Sequence, residues 1–314
     1  MSRQYIQTVT GQVAADEFGL ILPHEHLFTD LRGPTVPGYA QGNPEVVAQV
    51  MEPYLVEAHA AGVTALVECS TLGVGRNVPV LKYLAHSTPV RIIAPTGVYR
   101  QAYIPPELIG VSAKQLAEMW IGDLTQGMEG SDVKAGFIKI AMSDDGPTDL
   151  EVRNLKAAAA ASQATGAVIA SHTIRGDIAM KEMDILESEG INLDRFIWVH
   201  ANAEVDQSYH RTAVSRGAYV EFDAIGQKGA SQDELLNFTL AVIEAGYANR
   251  ILLSHDAGWY DPSQPDGRPV GDGIRGFTAL IHEFIPALRK HGLSEDMIRQ
   301  LTMTNPAGAF ALKT

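Results

Sequence analysis

Apolar residues recur in eight short runs: Gly19–Pro23, Val63–Cys69, Val90–Thr96, Ala135–Ile140, Ala167–Ser171, Phe196–His200, Ala218–Phe222 and Ile251–Ser254. Each has the length of a buried strand. Each reads as near-continuous Val, Ile, Leu and Ala, the pattern of a strand covered on both faces. Helical spacing fills the intervals. Pro44–Ala61 carries apolar residues at Val46, Val47, Val50, Met51, Leu55 and Ala58. Ala113–Gly127, Asp149–Thr165, Ile178–Gly190, Glu204–Arg216 and Ser231–Gly246 follow the same habit. Gly62, Gly166, Gly190, Gly217 and Gly246 stand where helices are expected to stop. Strand alternating with helix predicts parallel strands joined by helical crossovers. Eight such units in about 250 residues is the arithmetic of a (β/α)8 TIM barrel. All of 1–314 is expected to form that one barrel domain. A doubly wound sheet is the runner-up, but no Gly-x-Gly-x-x-Gly follows the first run, so its usual cofactor site is missing. Ala257–Gly276, rich in Gly, Pro and Asp, is the longest stretch without regular pattern. A loop of that length inside a compact domain is usually functional. Pro286–Leu312 reads as a helical closure.

Composition narrows the function classes. With 46% hydrophobic and 19% charged residues, intrinsic disorder is excluded. No apolar run approaches the ~18 residues of a membrane span. Lys and Arg number 24 against 37 Asp and Glu, a net charge of −13. Such a surface repels nucleic acid and anionic membranes. Cys69 is the single cysteine, so no intrachain disulfide exists. The opening MSRQYIQTVTGQV has no basic segment followed by an apolar one, and the expected location is cytoplasmic.

In a barrel, chemistry sits at the carboxyl ends of the strands. Six candidate ligands fall at five of those ends: His24 and His26, Lys139, His172, His200, and Asp256 beside His255. Residues i and i+2 of a strand point to one side, so His24 and His26 can both face the barrel axis. Imidazole with a carboxylate suits Zn, Fe, Co, Ni or Mn. Four histidines and an aspartate on one rim predict metal binding, although a single strand-end histidine is more often structural. Lys139 lies between apolar residues and must be paired or neutralised. Three readings stay open for it: a carbamate formed with carbon dioxide, which could bridge two metals; a Schiff-base lysine; or a lysine paired with Asp256.

The segments Gly19-Leu20-Ile21-Leu22-Pro23-His24-Glu25-His26, Lys134-Ala135-Gly136-Phe137-Ile138-Lys139, Ser171-His172-Thr173, Trp198-Val199-His200, Ser254-His255-Asp256 and Asn305-Pro306-Ala307 occur in this order. The set resembles the phosphotriesterase branch of the amidohydrolase superfamily, which includes the phosphotriesterase-like lactonases, over essentially the whole chain. The resemblance implies a binuclear centre of two divalent cations, zinc ahead of manganese, cobalt or iron. It implies that His24, His26 and Asp256 hold one metal, that His172 and His200 hold the other, and that carboxylated Lys139 bridges them. A bridging hydroxide would be the nucleophile, with Asp256 taking its proton. Tyr99 stands where lactone-hydrolysing relatives carry a tyrosine near the leaving-group oxygen; a tyrosine packing against the last loop is the alternative. Trp259 and Tyr260 either wall an apolar substrate pocket or pin the loop. Glu25 and His255 should point away from the metals.

Two stretches depart from the family pattern. After the sixth-strand histidine the chain reads His200-Ala201-Asn202-Ala203-Glu204, without the aspartate of the usual proton path. After the seventh strand it reads Glu221-Phe222-Asp223-Ala224-Ile225, where Asp223 fits but its usual basic neighbour is missing. The resemblance therefore implies a metal-dependent hydrolase of a small neutral ester, lactone or phosphotriester, with ester or lactone preferred. A homodimer would be in keeping with it. The alternatives are a dedicated organophosphate triester hydrolase (an aryldialkylphosphatase), a non-catalytic binding protein on the same fold, and a Schiff-base lyase using Lys139.

Overall fold

A computed structural model describes residues 3–271 and 273–313. The chain opens with an antiparallel hairpin, β1 (Tyr5–Thr8) and β2 (Gly11–Ala14), which the apolar runs do not announce. The barrel strands follow: β3 (Leu20–Phe28), β4 (Val63–Glu68), β5 (Arg91–Ile93) with β6 (Pro95–Thr96), β7 (Phe137–Ala141), β8 (Ile169–His172), β9 (Phe196–Val199), β10 (Tyr219–Phe222) and β11 (Ile251–Leu253). Neighbouring barrel strands pair in parallel, in the order β3-β4-β5 and β6-β7-β8-β9-β10-β11. The third strand is interrupted at Ala94 and links the two sheets. At the other junction Asp256 N donates to the His24 carbonyl at 3.2 Å, and His26 N to the Ala257 carbonyl at 2.9 Å. These bonds close the ring of the (β/α)8 barrel.

The helices are α1 (Pro44–Ala60), α2 (Val78–Ser87), α3 (Pro106–Ile109), α4 (Ala113–Thr125), α5 (Asp149–Thr165), α6 (Gly176–Ser188), α7 (Gln207–Ser215) and α8 (Gln232–Glu244). The tail adds α9 (Ile285–Lys290), α10 (Glu295–Arg299) and α11 (Asn305–Phe310), in line with the expected closure. α2 is absent from the sequence expectation. Its proline sits in the first turn, where no N–H is needed, and the Asn77 side chain caps the helix by accepting from Val80 N at 3.0 Å. α7 starts at Gln207 rather than Glu204. Asp206 caps it, and Glu204 is drawn off to accept from Gly176 N. Ala257–Gly276 is not wholly irregular: β12 (Gly258–Tyr260) pairs with β3. Gly258 has φ +92, and a Cβ there would lie 2.2 Å from the His26 carbonyl oxygen, so only glycine fits the turn into β12. Asp272 of this loop lies outside the described residues.

Two hydrophobic cores explain the near-continuous apolar runs. Leu66, Ile138, Ile169, Trp198, Val220 and Leu253 face outward and pack beneath the helices. Ile21, Val67, Phe137, Ala170, Val199 and Leu252 point inward and fill the barrel. Phe310 of α11 closes the amino-terminal end, edge-on to Phe137 at 5.3 Å between ring centroids. With that end filled, the carboxyl ends of the strands form the accessible mouth. Among the described residues no helix is long and apolar enough to cross a membrane.

Candidate metal centre

The inward positions of the strands carry the candidate ligands to one cavity, but by three local routes. Phe137 points inward, so Lys139 two residues on does the same, and Ala170 likewise brings His172 inward. On β3 the parity changes. Ile21 faces inward, yet so do His24 and His26, because the β3–β4 register shifts between Leu22 and Glu25. That irregularity turns both histidines into the barrel and Glu25 away from it. His200 follows neither route. Strand periodicity would send it outward beside Trp198, but its backbone is left-handed, φ 62 and ψ 31, and this turns the ring into the mouth. It therefore lies just past β9 rather than within a strand.

The cavity is about 180 Å³ and is lined by all six candidates with Tyr99, Cys69 and Trp259. Imidazole centroids stand 5.4 Å apart for His24 and His26, 5.0 Å for His24 and His200, and 4.5 Å for His172 and His200. Asp256 Oδ1 lies 3.1 Å from His26 Nε2 and 3.5 Å from His24 Nε2. His24, His26 and Asp256 thus bring one ligand atom each within 4.8 Å of one another. His24, His200 and Asp223 meet the same criterion. In that second group, however, Asp223 is bonded to the histidines themselves: Oδ1 to His200 Nδ1 at 2.9 Å and Oδ2 3.3 Å from His24 Nδ1.

The outward nitrogens of three imidazoles are committed. Glu221 Oε1 is 2.7 Å from His24 Nδ1, Ser70 Oγ is 2.8 Å from His26 Nδ1, and Asp223 holds His200. A carboxylate or hydroxyl at Nδ1 fixes the ring and leaves Nε2 facing the cavity, the arrangement metal-ligating histidines favour. Glu68 steadies Ser70 through its backbone N at 2.7 Å. Glu25 and His255 turn outward as expected. Leu280 N donates to His255 Nε2, so the ring's proton is on Nδ1 and goes to Glu25 Oε1. Glu25 also accepts from Ser254 Oγ and Ala257 N, tying the end of β11 to β3.

Electrostatics divide the cluster. Burial, aided by the Lys139 charge, pushes His24 down to about 4. Burial also lowers His26, but the carboxylates of Asp256, 3.1 Å from Nε2, and Glu68, 3.7 Å from Nδ1, outweigh it and lift the ring to about 9. Burial opposes ionisation of Asp256 too, yet His26, His24 and His200 hold its carboxyl well below the usual range. Burial raises the Tyr99 hydroxyl and the Cys69 thiol, so both keep their protons at neutral pH. Tyr99 Oη contacts the His172 ring, 3.2 Å from Nδ1.

Lys139 is 2% exposed, and among the described residues its Nζ has no hydrogen-bond partner. It is therefore not hydrogen-bonded to Asp256, which removes that sequence-level alternative. A buried amine without a partner among imidazoles fits a position completed by a further group. The residues around it, nitrogen and carboxylate donors facing one small cavity, fit divalent cations. Sequence reading missed Glu221, Glu68, Ser70 and Ser254. The available signal was a charged residue inside an apolar run, as at Glu221 between Val220 and Phe222.

The sequence profile of the phosphotriesterase family matches residues 4–310. The phosphotriesterase homology protein of Mycobacterium tuberculosis is 27% identical over 318 residues, covering 97% of both chains. The aryldialkylphosphatase of Saccharolobus solfataricus is 25% identical, over 95% of this chain and 97% of its own. A mutant PTE-like lactonase from Deinococcus radiodurans superposes with a TM-score of 0.85 at 28% identity, over 97% of this chain and 99% of that one. The match extends along the barrel that carries the histidine and aspartate cluster, in a family of binuclear metal-dependent hydrolases, and this chain belongs to the phosphotriesterase family.

Proposed function

We propose that the protein is a metal-dependent hydrolase that cleaves a carboxylic ester or lactone in preference to a phosphotriester. The observation that carries this reading is the convergence of six potential ligands on one cavity, with the buried Lys139 amine left unsatisfied among them. His24, His26 and Asp256 would hold one cation, His172 and His200 the other, with Lys139 between them as its carbamate. Zinc suits this donor set, and manganese, cobalt or iron also fit it. Two bound cations would polarise the carbonyl or phosphoryl oxygen and lower the pKa of water. The whole of 1–314 would work as one catalytic unit, because β3 near one end and Asp256 near the other contribute to the same cluster.

The chain's own residues complete the chemistry. Asp256 stays ionised at neutral pH and accepts the proton of the attacking water at Oδ1. Tyr99 keeps its proton and stands beside His172, suited to donate a hydrogen bond to the departing alkoxide. Asp223 is engaged by two histidines and Ala224 beside it carries no base, so a proton leaving Asp256 passes to solvent at the open mouth rather than through that pair. Trp259 shares the cavity and supplies apolar wall for the acyl or alkyl part of the substrate.

Metal analysis paired with a panel of lactones, aryl esters and a paraoxon-type triester tests the reading. About two metals per chain and highest kcat/KM on lactones or esters are expected, with Tyr99→Phe lowering lactone rates more than triester rates. A triester preference would favour the dedicated organophosphate hydrolase. Metal without turnover on any ester would overturn hydrolysis. Borohydride trapping of a carbonyl compound on a metal-free Lys139 would support the lyase instead.

A further inference from the structure

A second cavity, of about 590 Å³, adjoins the metal cavity among the loops that follow β3, β6 and β7. Leu31 lines both, and Tyr103 on the far side packs edge-on against Tyr99 at 5.5 Å between centroids. Two arginines reach this groove, and they differ. Arg32 is already committed: its Nε is 2.9 Å and its Nη2 2.7 Å from the Asp30 carboxylate, and Nη2 also donates to the Gly38 carbonyl. The Arg100 guanidinium lies over Tyr99 and Tyr103, 5.8 and 5.9 Å from the ring centroids. Among the described residues its side chain makes no hydrogen bond, and its one carboxylate neighbour within 4 Å is Asp144 at 3.9 Å. That distance is too long for a hydrogen bond. Asp144 is more than half exposed and Asp145 is exposed as well, so both act through water and salt.

A planar cation oriented by two aromatic faces, with its donor fork uncommitted, matches the geometry of a carboxylate. Tyr99 connects it to the metal cavity, with the hydroxyl at His172 and the ring under Arg100. We propose that this groove is a substrate subsite in which Arg100 binds an anionic end, a carboxylate or comparable anion joined by a short chain to the ester that is cleaved. The proposal rests on the hydrolase reading of the metal centre. It also refines the expectation of a neutral substrate: the reacting group is uncharged, and the charge lies at the far end.

The test uses the metal-loaded enzyme with 4-nitrophenyl half-esters of succinate, glutarate and adipate, each beside its methyl-capped counterpart. At one chain length the free acid should exceed the capped ester in kcat/KM by about tenfold, mainly through KM. Arg100→Gln should bring that ratio near one, Arg100→Lys should keep part of it, and Asp144→Asn should raise it. Arg216→Gln, a remote surface change, should leave the ratio alone. Calorimetric Kd values for glutarate and monomethyl glutarate give a readout without turnover, and Arg100→Gln should abolish the difference between them. Capped esters equal to or better than free acids at every length, or a ratio that survives Arg100→Gln, would overturn the subsite. Absent turnover with Arg100-dependent glutarate binding would instead overturn the hydrolase reading and leave the subsite standing.

Discussion

His24, His26 and His200 each have Nδ1 tied to a carboxylate or to a serine hydroxyl, whereas on the β7–β8 side of the same cavity Lys139 Nζ has no partner among the described residues and His172 has only the Tyr99 hydroxyl, almost equidistant from its two ring nitrogens at 3.2 and 3.3 Å. On the first side, hydrogen bonds orient the rings before any ligand arrives. On the second, the amine is unsatisfied, and the neighbour of His172 is a protonated tyrosine. One half of the site is built by folding alone. The other half is chemically unfinished, and on the proposed reading a carbamate on Lys139 would complete it. This asymmetry predicts that the two halves fail differently.

The largest effect should come from Lys139→Ala. Loss of kcat/KM by more than about a thousandfold is expected, with metal content falling below two per chain and partial rescue by a short carboxylic acid. Full metal and full rate would remove the carbamate reading and with it the asymmetry. Glu221→Gln strikes the finished half. It should weaken metal binding in a chelator competition by about 10- to 100-fold while leaving Lys139 intact. An unchanged affinity would show that Asp223 alone orients His24.

The smallest effect sharpens the β8 side. Glu182 of α6 is fully buried and accepts from Ser171 Oγ and Thr173 Oγ1, the residues flanking His172. Burial lifts its carboxyl from the ordinary 4.5 to about 8. The folded protein then holds this proton more tightly than the unfolded chain. That contribution to stability is complete below about pH 4.5 and is lost as pH rises toward 8. Melting temperature should therefore decline across this window in the wild type and decline less in Glu182→Gln, by several degrees. Parallel curves would mean that Glu182 ionises without penalty.

Much of this was legible in the sequence, and the omissions have physical causes. The eight runs and most helices stood out because buried parallel strands and glycine-ended helices leave strong local signals. The ligand types were visible because His, Lys and Asp are conspicuous at the ends of apolar runs. The direction of each side chain was not. Strands covered on both faces are apolar at every position, so Ile21 and Leu22 read alike although one fills the barrel and the other packs under helices. The register shift in β3 and the turned backbone at His200 leave no mark in hydrophobicity. Glu221 acts on His24, 197 residues away, and Glu68 reaches back to Leu27 as well as to nearby Ser70; a single sequence does not show such long-range pairing.

Two of the six candidate ligands occupy backbone conformations that non-glycine residues avoid: His200 at φ 62 and Asp256 at φ 48. Each costs on the order of 1 kcal/mol of folding free energy. Selection for thermal endurance alone should therefore drift toward glycine or asparagine at both positions, and each such step would discard a ligand. On the proposed function, durability and turnover are set against each other at these two residues, so a programme of stabilisation would do well to hold both fixed and look to the outer helices for its gains.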